Sequence, residues 1–544
     1  MNKTKLLFLS EKTAFAIFLS FIILYSFILV YKASWGAIDD YHLLDTLLVG
    51  KAIPINFYIQ PEIGRFYPLN AHEYNIIAFF STSPWSFYAY NACQLILFTI
   101  LFYKILNKLF PLEDKRFLML VVSITILLPG FVNSWFLLFC PERNVIFFMA
   151  LFLFFYLKFK ESQNTYFMFI SIIFANIALY YKETTFAMLS SFAVLHLFLN
   201  WEDGKYKQKI FDFLIIFSSF IYLLLYYFMV YTKRGNILYG ENIYDKFLVV
   251  FKNLFCYSLN DSIILFVFIP LFIYRLRNLI ANKESADKLM DSMALGGLSY
   301  FMAFVFLTLK LKLLFMEHYL LPSYIFILPA AIYYFRKYEF EFKKIKYLFF
   351  AGLFFLIANA LPLSIYRMAF YKTVSLNFQE TINFLEQYIK SKKNEKVSIF
   401  LEGVNRNSEA ALYYGFRRYL EFNGLNYEYF DLKNSEDDNM WGPVKINKES
   451  HYTYESNNSA SRVNKGDLVI ITPYIKSYKG KSDIVAMTKD YDILFNTSSI
   501  EIPNMSLKQL IKYYLGEMNS NSRKLVNYNN YLGLPLNFYV LRKK

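Results

Sequence analysis

A chain of 544 residues that is 56% hydrophobic, 21% aromatic and only 18% charged is not an ordinary soluble domain. Its formal charge of +15 comes without a dense basic stripe or a nucleic-acid motif, which argues against a nucleic-acid partner. Three cysteines, none beyond residue 256, leave no disulfide framework and no zinc cluster to the C-terminal third.

In chain order, apolar blocks long enough to cross a bilayer lie near 14–31, 86–106, 116–132, 144–158, 165–181, 184–200, 210–231, 260–276, 293–310, 319–335 and 347–366. Eleven helical spans are predicted, because a backbone within lipid has to satisfy its own hydrogen bonds. The first block is too long for a secretory signal and is followed by no small-residue cleavage site, so it is read as a retained span. Basic residues concentrate in short connections such as Lys205, Lys207, Lys209 and Lys343, Lys344, Lys346. That bias puts these connections and the N-terminus in the cytoplasm. An odd number of spans then puts the C-terminus outside, in the periplasm or the extracellular space. The expected division is a membrane domain over 1–372, with long outer loops at 32–85 and 232–259, and an outer domain over 373–544. The outer domain alternates strands (396–402, 427–432, 467–473, 538–542) with helices (377–392, 408–422, 506–517), a small α/β pattern. A polar loop is expected over 434–461, and no glycine-rich phosphate loop follows any strand. The fold class is therefore a polytopic α-helical membrane protein with a small soluble α/β domain. The richness in Lys, Asn, Ile, Phe and Tyr looks like coding from an AT-rich bacterial genome, and the expected location is the inner (plasma) membrane.

Five clusters of ionisable residues fall at the outer face under this topology. The first, Asp39-Asp40-Tyr41-His42, opens the first outer loop on an expected short amphipathic helix that puts Asp39 and His42 on one face. A capping role for Asp39 is the structural alternative. Arg65 follows in the same loop, in Gly64-Arg65-Phe66-Tyr67-Pro68; it could meet a phosphate or simply snorkel. Glu142 and Arg143 open the fourth span, and Lys182 and Glu183 occupy the tight turn between the fifth and sixth; each pair could instead neutralise itself. Glu317 and His318 open the tenth span. Cations there suit a phosphate leaving group, and a carboxylate suits deprotonation of a hydroxyl.

The order and sidedness of these motifs resemble the GT-C superfamily of polytopic membrane glycosyltransferases. Asp39-Asp40 matches the family's acidic pair after the first span, and Lys182-Glu183 is similar to its Lys-Glu turn. His318-Tyr-Leu-Leu-Pro resembles the family's Arg-Tyr-x-Leu-Pro segment, with His in place of Arg. The resemblance covers residues 1 to about 370. It implies a polyprenyl-phosphate-linked sugar as donor and a glycan or lipid-linked hydroxyl acceptor. It implies inversion at the anomeric carbon, with Asp39 and Asp40 catalytic. His42, Arg65, Glu142, Arg143, Lys182, Glu183, Glu317 and His318 would bind substrate. Neither a metal nor another cofactor is expected. The rival readings are an O-antigen polymerase or ligase, which does not need the early acidic pair, and a transporter or flippase of lipid-linked substrates, which calls for internal repeats and charges at the bilayer midplane.

Overall fold

The computed structural model describes residues 10–202, 204–233, 248, 251, 255, 259–311, 316–338, 345–392, 395–401, 409–426, 428–434, 463–473, 489–497, 502–511 and 536–544. Most of the expected loops 232–259 and 434–461, and the end of the expected helix 506–517, lie outside the described residues. In chain order the main helices are α1 (Glu11–Val30), α2 (Tyr41–Leu44), α3 (Glu73–Phe80), α4 (Pro84–Leu109), α5 (Lys115–Ile126), α6 (Pro129–Phe136), α7 (Pro141–Ser162) and α8 (Thr165–Tyr181). They continue as α9 (Thr185–Leu199), α10 (Tyr206–Met229), α11 (Ile269–Ile280), α12 (Met290–Leu311), α13 (Tyr324–Tyr338), α14 (Ile345–Phe355), α15 (Leu361–Ser391) and α16 (Glu409–Phe422).

Each of the eleven apolar blocks is largely helical, and block 116–132 is divided between α5 and α6. Among the described residues, seven helical segments are long and apolar enough to cross a membrane, eight if the bent pair α5 and α6 is one span. The difference from eleven lies in α7, α8 and α9. Helices α8 and α9 have 17 and 15 residues, short of the roughly 20 that a full crossing needs. Helix α7 has 22 residues but carries Glu142 and Arg143 in its first turn and Lys158, Lys160 and Glu161 near its end. The chain is a polytopic helical membrane protein with a small C-terminal sheet.

The chain divides into two compact units. The first comprises Met1–Val30, Pro54–Glu73 and Tyr88–Ser364; the second comprises Tyr31–Ile53, Tyr74–Phe87 and Ile365–Lys544. In the first unit, helix ends are set by local chemistry. Asp114 accepts from the Arg116 N–H at 2.9 Å and starts α5. Asn164 accepts from the Tyr166 N–H at 2.9 Å and starts α8, directly after Gln163 ends α7 in a left-handed conformation. Pro129 opens α6 after a 61° bend, since proline is at home in a helix's first turn and breaks a helix elsewhere. Every residue of α6 is buried. Gly130 is required there, because a Cβ would come within 2.8 Å of the Glu317 carbonyl oxygen.

In the second unit a five-stranded sheet runs in the order β4 (Phe430–Asn434), β3 (Val397–Leu401), β5 (Leu468–Ile471), β7 (Tyr539–Lys543), β6 (Tyr491–Asn496). Strands β4, β3 and β5 are parallel, and β7 pairs antiparallel with both β5 and β6. The buried interior strand β5 reads Leu-Val-Ile-Ile without a polar break, as a strand covered on both faces should. Strand β6 has no counterpart among the four expected strands. Its Asp492 and Asn496 interrupt the apolar run, and it is an edge strand held by β7. Phe378 of α15 packs its ring against Phe416 and Tyr419 of α16, at centroid distances of 5.0 and 5.2 Å.

Candidate active site

In the first unit, the turn between α8 and α9 organises a group of buried charges. The tight turn buries Lys182 and leaves Glu183 partly exposed. Lys182 Nζ lies 2.8 Å from Glu142 Oε1, with both side chains almost fully buried. The ammonium also sits over the faces of Tyr67 and Tyr319, 5.6 and 5.2 Å from their centroids, so an aromatic wall backs the cation on two sides. Arg65 lies over Tyr67 as well, at 5.5 Å, and pairs with Glu183 at 3.7 Å. Tyr67 thus stands beside both cations.

The loop that brings Arg65 there is pinned by its backbone. A two-residue ribbon, β1 (Ile59–Gln60) with β2 (Arg65–Phe66), turns at Gly64 with φ 77°, a left-handed conformation suited to glycine. The Phe66 N–H donates to Glu183 Oε1 at 3.1 Å, and Tyr222 Oη donates to the Phe66 carbonyl at 2.8 Å. Glu183 therefore serves two ends of the motif, its backbone and its arginine.

Glu142 has a second set of neighbours. Cys140 Sγ, a Glu142 carboxylate oxygen and a ring nitrogen of His318 lie within 4.8 Å of one another. Among the described residues these three could share a metal ion. The ion would compete with Lys182, which already holds Glu142 Oε1.

Arg143 has a different environment from the other cations. It is fully buried, and its guanidinium donates to the carbonyls of Leu137, Ser134 and Leu138 at 3.0, 3.4 and 3.4 Å. It also pairs with Glu73 at 3.4 Å. Glu73 in turn accepts from Asn144 at 2.6 Å and from Tyr181 at 3.3 Å. Arg143 thus ties α3, α7 and the turn before α7 together. Glu317 is likewise built in: Asn260 donates to it at 2.7 Å, Asn133 at 3.4 Å, and Asn359 donates to Asn260 at 2.8 Å. Glu73, Tyr67 and Tyr319 were not singled out from sequence. The signal for Glu73 was an acid in the expected outer loop 32–85, two residues from Ala71, itself in a left-handed conformation that sequence does not reveal.

Asp39, Asp40 and His42 belong to the second unit. The amphipathic helix expected to start at Asp39 is one turn, α2, followed by a 3-10 turn at Leu47–Val49. The break begins at Asp39, which has φ 67°. An L-residue pays for that conformation through its Cβ, and Asp and Asn tolerate it best among non-glycine residues. Asp39 does not cap the helix; Asp40 holds the cap position, and its carboxylate turns back to accept from the Gly36 N–H at 2.7 Å. His42 stays tied to Asp39 through the backbone, its N–H donating to the Asp39 carbonyl at 3.1 Å.

The two carboxyls differ in environment. Asp39 reaches the surface, whereas Asp40 is buried. Neighbouring protein disfavours the charged form of both. Asp40 is pushed up to about 8 by burial, opposed by the Gly36 N–H and assisted by the charge of Asp39. Asp39 is hemmed in by protein but still touches water, and burial pushes it up only to about 6. Asp39 is the more acidic of the two, and the pair as a whole titrates above the usual carboxylate range.

No family model matches the sequence, and no curated protein matches it. Among solved structures, the chain is similar to ArnT from Cupriavidus metallidurans, solved bound to undecaprenyl phosphate. The match has 10% sequence identity and a TM-score of 0.43, over 89% of this chain and 97% of that one. A likeness at that identity and score transfers neither the activity nor the ligand of ArnT to this chain.

Proposed function

We propose that this chain is a membrane glycosyltransferase of the GT-C type. It moves a sugar from a polyprenyl-phosphate carrier to a hydroxyl acceptor at the outer face of the membrane. The observation that carries the reading is Asp39, an accessible carboxylate in a left-handed conformation, raised toward neutrality and set just beyond the first apolar helix. Strained non-glycine backbone of this kind concentrates at functional sites. A base with a value near the working pH is the one best suited to accept a hydroxyl proton.

In this reading the acceptor hydroxyl gives its proton to Asp39 as its oxygen bonds to the anomeric carbon. The bond from that carbon to the carrier phosphate breaks, and the phosphate leaves with the electron pair. Attack from the opposite face inverts the centre. Asp40, protonated and bound to Gly36, holds the loop. Within the first unit, Lys182 and Arg65 are cations of the kind that suits a phosphate, shared with Glu142 and Glu183, and His318 offers a ring nitrogen beside Glu142. Arg143 braces the fold. No metal step is invoked.

A transporter reading draws on one observation, the buried His196–Asp212 pair at 2.8 Å, extended by Tyr156 at 2.9 Å from the His196 ring. These groups occupy the last turn of α9 and the second turn of α10, at helix ends and not at mid-helix, where a carrier site is expected.

The test is Asp39→Asn in a transfer assay on purified protein, with a panel of polyprenyl-phosphate sugars. Asn is nearly isosteric and accepts the same backbone conformation, but it takes no proton. Transfer should fall by at least about a hundredfold, with thermal unfolding within about 1 °C of wild type. Full transfer activity in this variant would end the assignment of Asp39 as base.

A further inference from the structure

The loop that carries Asp39 is not held by its own residues alone. Within the second unit it lies against the two helices that flank strand β3, and the contacts fall on both sides of Asp39 in sequence. Before it, Gln379 of α15 donates to the Trp35 carbonyl at 3.1 Å, and Tyr419 of α16 donates to the Gly36 carbonyl at 3.3 Å. Beyond it, the ring of Tyr41 lies 5.7 Å from that of Tyr414, and Arg418 pairs with Asp45 at 3.3 Å. Between these, Gly415 lies against the carbonyl of Ala37, two residues before Asp39, so closely that a Cβ on Gly415 would overlap that oxygen.

Gly415 is the informative residue. It sits inside a 14-residue helix, where alanine is favoured over glycine by about 1 kcal/mol. It is not among the glycines with positive φ, so the backbone conformation does not ask for glycine. What asks for it is the approach of the Ala37 carbonyl. A left-handed aspartate persists only where its surroundings over-determine it, and here the surroundings on both flanks include the C-terminal helices.

We infer that the C-terminal α/β region is the clamp that sets the acidic loop, with Gly415 and Arg418 as positioning residues for Asp39. The inference rests on the proposed role of Asp39 for its catalytic consequence, and on contacts alone for its structural one.

The experiment uses the full-length protein in detergent or nanodiscs, with Gly415→Ala, Arg418→Ala, Arg418→Lys and, as a control, Phe422→Ala at an exposed position late in the same helix. Hydrogen exchange is followed at residues 36–49 and at strands β3 and β5, beside steady-state transfer kinetics. Gly415→Ala and Arg418→Ala should speed exchange at 36–49 by about tenfold or more while β3 and β5 keep their protection. They should lower kcat by about ten- to hundredfold with donor KM changed little, as misplacement of a catalytic group does. Arg418→Lys should recover part of the loss, and Phe422→Ala should match wild type. Unchanged exchange at 36–49 in both Gly415→Ala and Arg418→Ala would overturn the inference, as would equal loosening by Phe422→Ala. If the loop loosens as expected but the wild-type protein transfers no sugar from any donor, the clamp stands and the transferase reading fails.

Discussion

At the scale of single residues, the acidic pair links chemistry to stability with opposite signs. Both carboxyls are raised from 3.8, Asp39 to about 6 and Asp40 to about 8. Between about pH 4 and pH 8 the folded chain therefore binds more protons here than the unfolded chain, so the contribution to stability falls as pH rises. On the proposed reading activity runs the other way, because Asp39 can act as a base only when ionised. Transfer should rise with pH through about 6 and be lost below it. Asp40→Asn mimics the protonated acid and keeps an acceptor for Gly36. Its thermal midpoint should gain on wild type as pH rises from 6 to 9, with the acid limb of the rate profile retained. A wild-type rate independent of pH between 5 and 7 would remove Asp39 as the titrating base. Lys182 and Glu142 show the opposite use of burial, since each supplies the charge that makes the other's desolvation tolerable.

At the scale of elements, the bent pair α5 and α6 is vulnerable to a single substitution. Gly130→Ala would push a methyl group against the Glu317 backbone, at the start of the 3-10 stretch Glu317–Ser323 that leads into α13. A loss of about 1–3 kcal/mol is expected from overpacking of this kind, read as a lower unfolding midpoint in detergent, whereas Gly424→Ala meets no neighbour and loses only through its left-handed backbone. Elements of this kind divide by how local their cause is. The apolar blocks were legible because hydrophobicity is a property of the segment itself. The bend at Pro129 was hidden within the block 116–132, which reads as one run. The helix expected to start at Asp39 is cut to one turn by backbone detail that apolar spacing does not carry: Asp39 is left-handed and the Asp40 carboxylate is committed to Gly36. Arg65, Glu183, Lys182, Glu142 and His318 were singled out one motif at a time, yet Tyr67, the ring shared by two of the cations, carried no charge to attract notice.

At the scale of the whole molecule, sequence suggests a boundary near residue 372, where apolar blocks give way to polar segments. In the structure, that point lies within the single helix α15, Leu361–Ser391, and residues 31–53 pack in the same unit as the C-terminal sheet. Contacts between residues more than 300 positions apart leave no local signature, so this grouping could not be read from composition. Sidedness is the remaining global property. If the eleven crossings expected from sequence hold and the basic connections face the cytoplasm, a reporter fused after Lys544 should be active only outside. Activity on the cytoplasmic side would reverse the face to which the proposed chemistry is assigned.

The left-handed backbone of Asp39 also constrains how this protein can change over generations. An aspartate codon is one base from asparagine and one from glycine, and those two residues accept positive φ with the least strain. Most other exchanges at this site would meet two obstacles together, a lost carboxylate and a strained fold, and would be removed by degradation as well as by inactivity. Asparagine or glycine would meet only the first. Copies of this gene released from selection for activity but still kept for their fold should therefore collect those two residues at position 39, so that a retired enzyme would be recognisable from one codon.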